Sequence, residues 1–143
     1  MSHNTWDYAA ELRACGYRVT PQRRAVMDAV CAGGGQSTLA GILERVRTQD
    51  AAINPATVYR SLDFLVDQGL IAKAELQHGE AVYAIAGPAP HHHLICRACR
   101  REVVIDVEPI EQLRAVLCER YGFELDARHL MLVGLCAECR GKT

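Results

Sequence analysis

The sequence has no run of about eighteen consecutive apolar residues, the length that a helix needs to span a bilayer. Its first residues, Met1 to Asp7, lack the basic and apolar parts of a secretory signal peptide. The chain also lacks a basic excess, because its formal net charge is -1 and its pI is about 6.6. We therefore expect a cytoplasmic globular protein without a membrane partner. The overall charge gives no sign of a nucleic-acid partner.

What the sequence does contain is a local concentration of positive charge near its N terminus. Four arginines and no acidic residue lie between Leu12 and Arg24. This stretch predicts either a positive end of the molecule that contacts DNA or a solvated helix face. At 143 residues with 50% hydrophobic content, the chain can bury a core without extra crosslinks.

Helix signals dominate the first half of the chain. Thr20-Pro21 and Asn54-Pro55 each combine an N-cap residue with proline at the first helical position. Apolar residues at helical spacing follow both pairs, and Gly69 ends the helix that begins at Asn54. Two short strands follow, at about residues 70–76 and 81–85. Three helices and a hairpin predict a winged helix-turn-helix domain.

The segment 86–90 is rich in proline and predicts a hinge between two domains. Residues 91–143 then predict strands around a helix that opens at Pro109, with Ile110, Leu113 and Leu117 facing inward. About 50 residues are too few for a secure core, so a metal, a partner subunit or both should stabilise this region. The predicted fold class is α+β, with a winged-helix domain at 1–85 and a small α/β domain at 91–143.

Seven cysteines are an odd number, and in a reducing compartment cysteines close in sequence are more often metal ligands than disulfides. Two Cys-x-x-Cys pairs have the spacing at which four thiolates surround one tetrahedral zinc ion. A closed thiolate shell leaves no position for water or substrate, which favours a structural role. The alternative, a thioredoxin-like redox motif, predicts one pair rather than two. The predicted zinc ligands are Cys96, Cys99, Cys136 and Cys139.

Three consecutive histidines precede the first cysteine pair. On an extended segment His91 and His93 point to the same side, so they can share a metal that His92 cannot reach. Neutral imidazole suits zinc, iron, nickel or copper, so the ligand type leaves the metal open. The alternative is a solvated histidine run beside a hinge.

The helix that begins at Asn54 is the second of a helix-turn-helix pair, whose first residues reach base edges in the major groove. Thr57, Tyr59 and Arg60 occupy that position. Arginine can bind guanine through two hydrogen bonds, and tyrosine can contact thymine and phosphate. Arg18 precedes the Thr20 cap and could enter a minor groove or contact phosphate. The alternatives are intramolecular packing for Tyr59 and an ordinary surface position for Arg18.

Four segments occur together and in order: Val19–Arg23, Pro55–Arg60, His91–Cys99 and Gly134–Cys139. With them the chain resembles the ferric uptake regulator superfamily, which includes iron, zinc, nickel and peroxide sensors. The resemblance implies an N-terminal winged-helix domain, a C-terminal dimerisation domain and a metal-dependent homodimer on palindromic promoter DNA. It also implies a structural zinc at the four cysteines, a regulatory metal at the hinge on His91 and His93, and DNA contacts by Arg18, Tyr59 and Arg60.

Some positions depart from the family pattern. Where the family usually places a histidine ligand this chain has Gln36, and where it usually places an acidic ligand it has Ala84. For a further site in the dimerisation domain His92 and Glu111 match, but Arg128 replaces the later histidine, with His129 beside it. A cation in place of a ligand should weaken that site unless the register of the strand shifts by one residue.

We expect a repressor, not an enzyme, that controls zinc or iron uptake and homeostasis through a structural Zn²⁺ and a regulatory Zn²⁺ or Fe²⁺. The first alternative is peroxide sensing within the same superfamily, which needs Fe²⁺ with oxygen ligands such as Asp106 and Glu108. A remote alternative is a zinc hydrolase using the histidine run and Glu111. It would need an open catalytic metal and a pocket, and it would have no use for the recognition-helix motif.

Overall fold

The computed structural model describes residues 6–87, 89–127 and 129–142, and Arg128 lies outside these described residues. The chain divides into two compact units, Met1–Pro88 (unit 1) and Ala89–Thr143 (unit 2). Both units mix helices with strands, so the predicted α+β fold class is confirmed.

Unit 1 consists of four helices and a small antiparallel sheet. The strands are β1 (Ser37–Thr38), β2 (Ile71–Glu75) and β3 (Ala81–Ile85), in the order β1-β3-β2. β2 and β3 form the hairpin of a winged helix, joined through a 3-10 turn at Gln77–Gly79. The helices are α1 (Tyr8–Ala14), α2 (Pro21–Ala32), α3 (Leu39–Gln49) and α4 (Pro55–Asp67).

The two cap-plus-proline signals start helices as predicted. The Thr20 hydroxyl accepts a hydrogen bond from the Arg23 N–H at 3.1 Å, and the Asn54 side chain accepts one from the Thr57 N–H at 2.9 Å. Each proline follows at the first helical position, where its missing N–H costs nothing. Thr38 caps α3 and also pairs with Val82 of β3.

The core of unit 1 lies between α2, α3, α4 and the sheet. The predicted stripe of α4 faces inward, because Val58, Leu62 and Leu65 are almost fully buried. Burying one such aliphatic side chain stabilises a fold by roughly 1.5–3 kcal/mol. Packing of apolar side chains is therefore sufficient to hold α4 in place.

Unit 2 contains a mixed sheet of β4 (His92–Cys96), β5 (Glu102–Ile105) and β6 (Met131–Gly134), in the order β5-β4-β6. β4 pairs antiparallel with β5 and parallel with β6. The helices are α5 (Glu108–Tyr121), which ends at left-handed Gly122, and α6 (Ala137–Arg140), which was not predicted. All four residues of β6 pair with β4, from His93 beside Met131 to Cys96 beside Gly134.

Apolar surface is poorly covered in unit 2. Ile110 is buried as predicted, but Leu113 is 44% exposed, so its predicted inward position is wrong. The open face of the sheet carries a row of partly exposed side chains from three neighbouring strands, namely Leu94, Val103 and Leu132. Within one chain no element of the described residues buries these side chains.

Candidate metal centres and nucleic-acid interface

The four predicted cysteine ligands form one cluster. Cys96 ends β4, and the parallel register places it beside Gly134, two residues before Cys136. The donor atoms of all four cysteines lie within 4.8 Å of one another, and the Sγ atoms of Cys99 and Cys136 are 3.8 Å apart. A tetrahedral ion with metal–sulfur bonds of about 2.3 Å separates its sulfurs by about 3.8 Å. The cluster can therefore hold one tetrahedral ion. β5, α5 and β6 lie in the sequence between its two halves.

Backbone groups around the cluster favour thiolates. Backbone hydrogen bonds from Cys99, Cys136 and Ala98 lower the pKa of Cys96 to about 6. The backbone of Cys139 likewise lowers the pKa of Cys136. The Cys139 thiol donates to Cys136 and Cys96, which raises its own pKa to about 12. Thiols lose their protons when they bind a metal, and the backbone donors favour that loss at Cys96 and Cys136.

The histidine run lies at the start of the same strand. His92 and His93 are buried, whereas His91 is half-buried. The rings of His91 and His93 have centroids 4.7 Å apart, so the structure brings these two predicted ligands together. Burial lowers the pKa of His93, and Glu102 opposes that shift. Burial therefore favours the neutral form of His93, which is the form that binds a metal.

Glu102 was missed in the sequence, although it pairs with His93 Nδ1. It opens β5, and the antiparallel register places it opposite Ile95, diagonally from His93. Alternation along two adjacent strands could have indicated it, but strand register cannot be read from the sequence alone. A carboxylate on the far nitrogen of a metal-binding histidine is a common orienting partner.

His92 and Glu111 do not fit a metal site in the same way. The Nδ1 atom of His92 accepts a hydrogen bond from the Leu130 N–H at 3.0 Å, so its proton resides on Nε2 and neither nitrogen offers a lone pair. Both carboxylate oxygens of Glu111 accept from the Arg114 guanidinium at 3.1 Å. Burial also lowers the pKa of His92. This histidine acts as a buried link between β4 and the segment before β6.

The two departures from the family pattern lie in unit 1. Ala84 is buried in β3, where a methyl group supplies no ligand. Gln36 lies directly before β1 and is half-buried. Neither residue supplies the histidine or carboxylate that the family usually has there.

The predicted DNA-contacting residues lie in the first turns of α4. Val58 faces the core, while the Tyr59 ring is 43% exposed and Arg60 is exposed. Arg60 donates to the Thr57 hydroxyl at 3.3 Å, which orients the guanidinium along the helix surface. Capped at Asn54, the helix thus presents one arginine and one tyrosine side by side to solvent.

Arg18 is exposed in the loop between α1 and α2, and this loop is attached to α4. The Arg23 guanidinium donates to the Arg18 carbonyl at 2.7 Å and lies 3.7 Å from the centre of the Phe64 ring. The rings of Tyr17 and Phe64 also meet edge-on, with centroids 4.9 Å apart. The sequence did not indicate this arrangement, because helix spacing alone does not show which loop packs on which helix.

Within the described residues, no helix is both long enough and apolar enough to cross a membrane.

Known proteins are similar to this chain in sequence and in fold. The chain is 30% identical over 142 residues to the ferric uptake regulation protein of Synechocystis, covering 96% of this chain and 86% of that protein. It is 25% identical to the peroxide-responsive repressor PerR of Staphylococcus epidermidis, covering 98% and 93%. A solved zinc uptake regulator complexed with zinc and DNA matches with a TM-score of 0.64 and 26% identity, covering 93% of this chain and 90% of that chain.

The sequence model of the ferric uptake regulator family matches residues 14–133. This range includes the first turns of α4, the histidine run and the first cysteine pair. The chain therefore belongs to the ferric uptake regulator family of metal-responsive regulators.

Proposed function

We propose that this protein is a homodimeric repressor that binds palindromic promoter DNA when a regulatory metal is bound, and so controls zinc or iron uptake genes. The observation that carries the proposal is the exposed Tyr59 and Arg60 pair on capped α4, in a chain that also carries a cluster of four cysteines able to hold a metal ion. The zinc- and DNA-bound regulator with the same fold supports it. Because the target is promoter DNA, the protein would act in the cytoplasm and not as an enzyme.

DNA recognition would begin with α4 in the major groove. Arg60 can donate two hydrogen bonds to guanine, and Tyr59 can contact a thymine methyl group or a phosphate. Thr57 orients Arg60 in the unbound protein at 3.3 Å, which limits the side-chain entropy lost on binding. Arg18, tied through its carbonyl to Arg23, would contact phosphate or the adjacent minor groove.

The cysteine cluster would hold a structural zinc. Its chemistry fits, because four sulfurs already lie within 4.8 Å of one another and local backbone groups favour thiolates. When bound, zinc supplies a crosslink between the end of β4 and the start of α6. His91 and His93 would hold the regulatory divalent ion, whose binding shifts the population toward the DNA-binding form.

Dimerisation would use the open face of the unit 2 sheet. Leu94, Val103 and Leu132 form an apolar row across β5, β4 and β6, with exposures between 39% and 47%. Apolar patches that stay exposed on a small domain commonly mark interfaces. A second copy of this chain would bury the row, in keeping with the dimers of the family.

The second candidate is a peroxide-sensing repressor, which is favoured by the similarity to PerR over 98% of the chain. That function needs Fe²⁺ with oxygen-rich coordination. Imidazoles at His91 and His93 fit zinc at least as well as Fe²⁺. Regulation by zinc or iron availability is therefore the function that we place first.

The test is a titration of promoter DNA with each metal in turn. Protein carrying one equivalent of zinc is mixed with a labelled DNA pool in the presence of added Zn²⁺, Fe²⁺ or Mn²⁺, one metal at a time. Bound fragments are selected, and their binding is then titrated with each metal from zero upward. We expect tight, sequence-selective binding that appears only when a second equivalent of one metal is present. Equal binding at every metal level would contradict metal regulation, and no selective binding at all would contradict the proposed function.

A further inference from the structure

A third histidine lies beside the two predicted regulatory ligands. β4 and β6 run parallel with His93 beside Met131, and two residues earlier in each segment His129 comes beside His91. The ring centroids of His91 and His129 are 5.2 Å apart, and those of His91 and His93 are 4.7 Å apart. His91 therefore stands between two other imidazoles, and all three residues belong to unit 2.

Hydrogen bonding prepares His93 as a ligand through Nε2. A carboxylate can only accept, so the bond between His93 Nδ1 and Glu102 places the proton on Nδ1 and the lone pair on Nε2. This Nε2 atom is buried and has no hydrogen-bond partner among residues 6–87, 89–127 and 129–142. A buried lone pair next to an orienting carboxylate is the arrangement found at metal-binding histidines.

His91 has the same tautomer for a different reason. Its Nδ1 lies 2.9 Å from the Ala89 carbonyl, which can only accept, so Nδ1 carries the proton and Nε2 the lone pair. His92 has the opposite tautomer, since its Nδ1 accepts from the Leu130 N–H. Backbone and carboxylate partners thus select the first and third histidines of the run as ligands and exclude the second.

The ring spacing is compatible with a shared ion. Metal–nitrogen bonds of about 2.0–2.1 Å place ring centroids about 3.2 Å from the ion, and about 4.5–5.2 Å from one another at angles of about 90–109°. The observed 4.7 and 5.2 Å fall in this range. The donor atoms of the three histidines do not yet all lie within 4.8 Å of one another. Formation of the site therefore requires rotation of the half-buried His91 or His129 side chain.

We propose that His91, His93 and His129 form a three-imidazole site for a borderline divalent cation such as Zn²⁺, with Glu102 as the positioning residue for His93. The inference rests on the proposed function, because it names the ligands of the regulatory metal and places them all in unit 2. Three neutral imidazoles favour zinc over hard cations such as Mg²⁺, and they leave a fourth position for water or another ligand.

Cobalt(II) titration of the full-length protein tests the site without DNA. Protein holding one zinc is titrated with Co²⁺ against a competing chelator, and ligand-field absorption reports binding. His129→Ala should weaken the second site more than about a hundredfold, because loss of an orienting partner alone costs 10–100-fold. Glu102→Ala should weaken it about 10–100-fold, whereas Glu102→Gln, which keeps an acceptor for Nδ1–H, should retain most of the affinity.

The titration includes a control variant and a measurement of whether unit 2 stays folded. His78→Asn removes an exposed histidine of unit 1 at a left-handed position that asparagine tolerates, and it should leave both metals unchanged. Bound zinc and circular dichroism report whether unit 2 stays folded. If His129→Ala loses its zinc, His129→Gln keeps a polar side chain there and replaces it in the titration.

The outcomes separate this inference from the proposed function. Wild-type Co²⁺ affinity in His129→Ala, together with loss in His91→Ala, would remove His129 from the site and leave metal regulation intact. Equal loss in Glu102→Gln and Glu102→Ala would contradict its role through Nδ1. A wild-type protein that holds one zinc and takes up no Co²⁺ beside it would overturn both the three-histidine site and the proposed metal switch.

Discussion

Unit 1 and unit 2 are stabilised in different ways. In unit 1 a continuous cluster of buried apolar side chains joins α2, α3 and α4 to the sheet, and it includes the single tryptophan, Trp6. In unit 2 few apolar side chains are buried, the open face of the sheet is partly exposed, and four cysteines lie together. A small domain without enough core needs a metal or a partner, and unit 2 has features suited to both.

Replacing a zinc ligand should have the largest effect, because it should unfold unit 2 and leave unit 1 folded. We expect Cys96→Ser to lose zinc, the fold of unit 2 and the dimer, because structural zinc sites in peptides contribute about 10–16 kcal/mol. Unit 1 should stay folded, because its core contains no cysteine cluster. Hydrogen exchange resolved by residue would measure protection in each unit. Cys118→Ser, at an exposed cysteine outside the cluster, is the matched control. A stable zinc-free dimer would refute the prediction.

The corresponding test in unit 1 removes a buried apolar side chain from its core. Leu62 is almost fully buried in α4, so Leu62→Ala should lower the free energy of unfolding of unit 1 by about 2–5 kcal/mol through lost burial and a cavity. Urea unfolding followed by Trp6 fluorescence reports unit 1, because Trp6 belongs to its core. Leu62→Met keeps the volume and should cost under about 1.5 kcal/mol. Equal unfolding midpoints for the Ala variant and the wild type would show that burial of Leu62 does not stabilise unit 1.

The exposed apolar row of the unit 2 sheet allows a test of whether a partner subunit stabilises this unit. Val103 is 47% exposed in one chain, and a dimer would bury it. Val103→Glu should weaken the dimer by about 2–3 kcal/mol, since it would bury an unpaired carboxylate. Analytical ultracentrifugation measures the dissociation constant, and zinc content verifies the fold. Tyr121→Glu, on the C-terminal turn of α5, is the control at a more exposed position. A dimer that tolerates Val103→Glu but not the control change would place the interface elsewhere.

The sequence predicted the local features of both units but not how strands and side chains meet. The Thr20 and Asn54 caps, the α4 stripe and the four cysteines depend on spacing within short segments, and these predictions agree with the structure. The Glu102 contact with His93 depends on strand register, and the Arg23 contact with Phe64 depends on a loop packing on a helix. Leu113 was placed wrongly, because a helical apolar stripe does not say whether its cover comes from the same chain.

Replacing Arg60 should change stability least and yet clearly weaken DNA binding. Arg60 is exposed on α4 and donates one long hydrogen bond to the Thr57 hydroxyl, so Arg60→Ala should alter the unfolding free energy by less than about 0.5 kcal/mol. Its binding free energy for the selected promoter DNA should weaken by about 1–3 kcal/mol, because one guanine contact is lost. Its preference for that sequence should also fall. Arg18→Ala should instead weaken binding to all sequences and reduce its salt dependence, as expected for a phosphate contact. Arg47→Ala removes an exposed arginine at the end of α3 and should change neither property. Fluorescence anisotropy on the selected DNA and on a scrambled duplex, at two salt concentrations, distinguishes these cases. If Arg60→Ala keeps both its affinity and its preference for the selected sequence, α4 does not read DNA through this arginine.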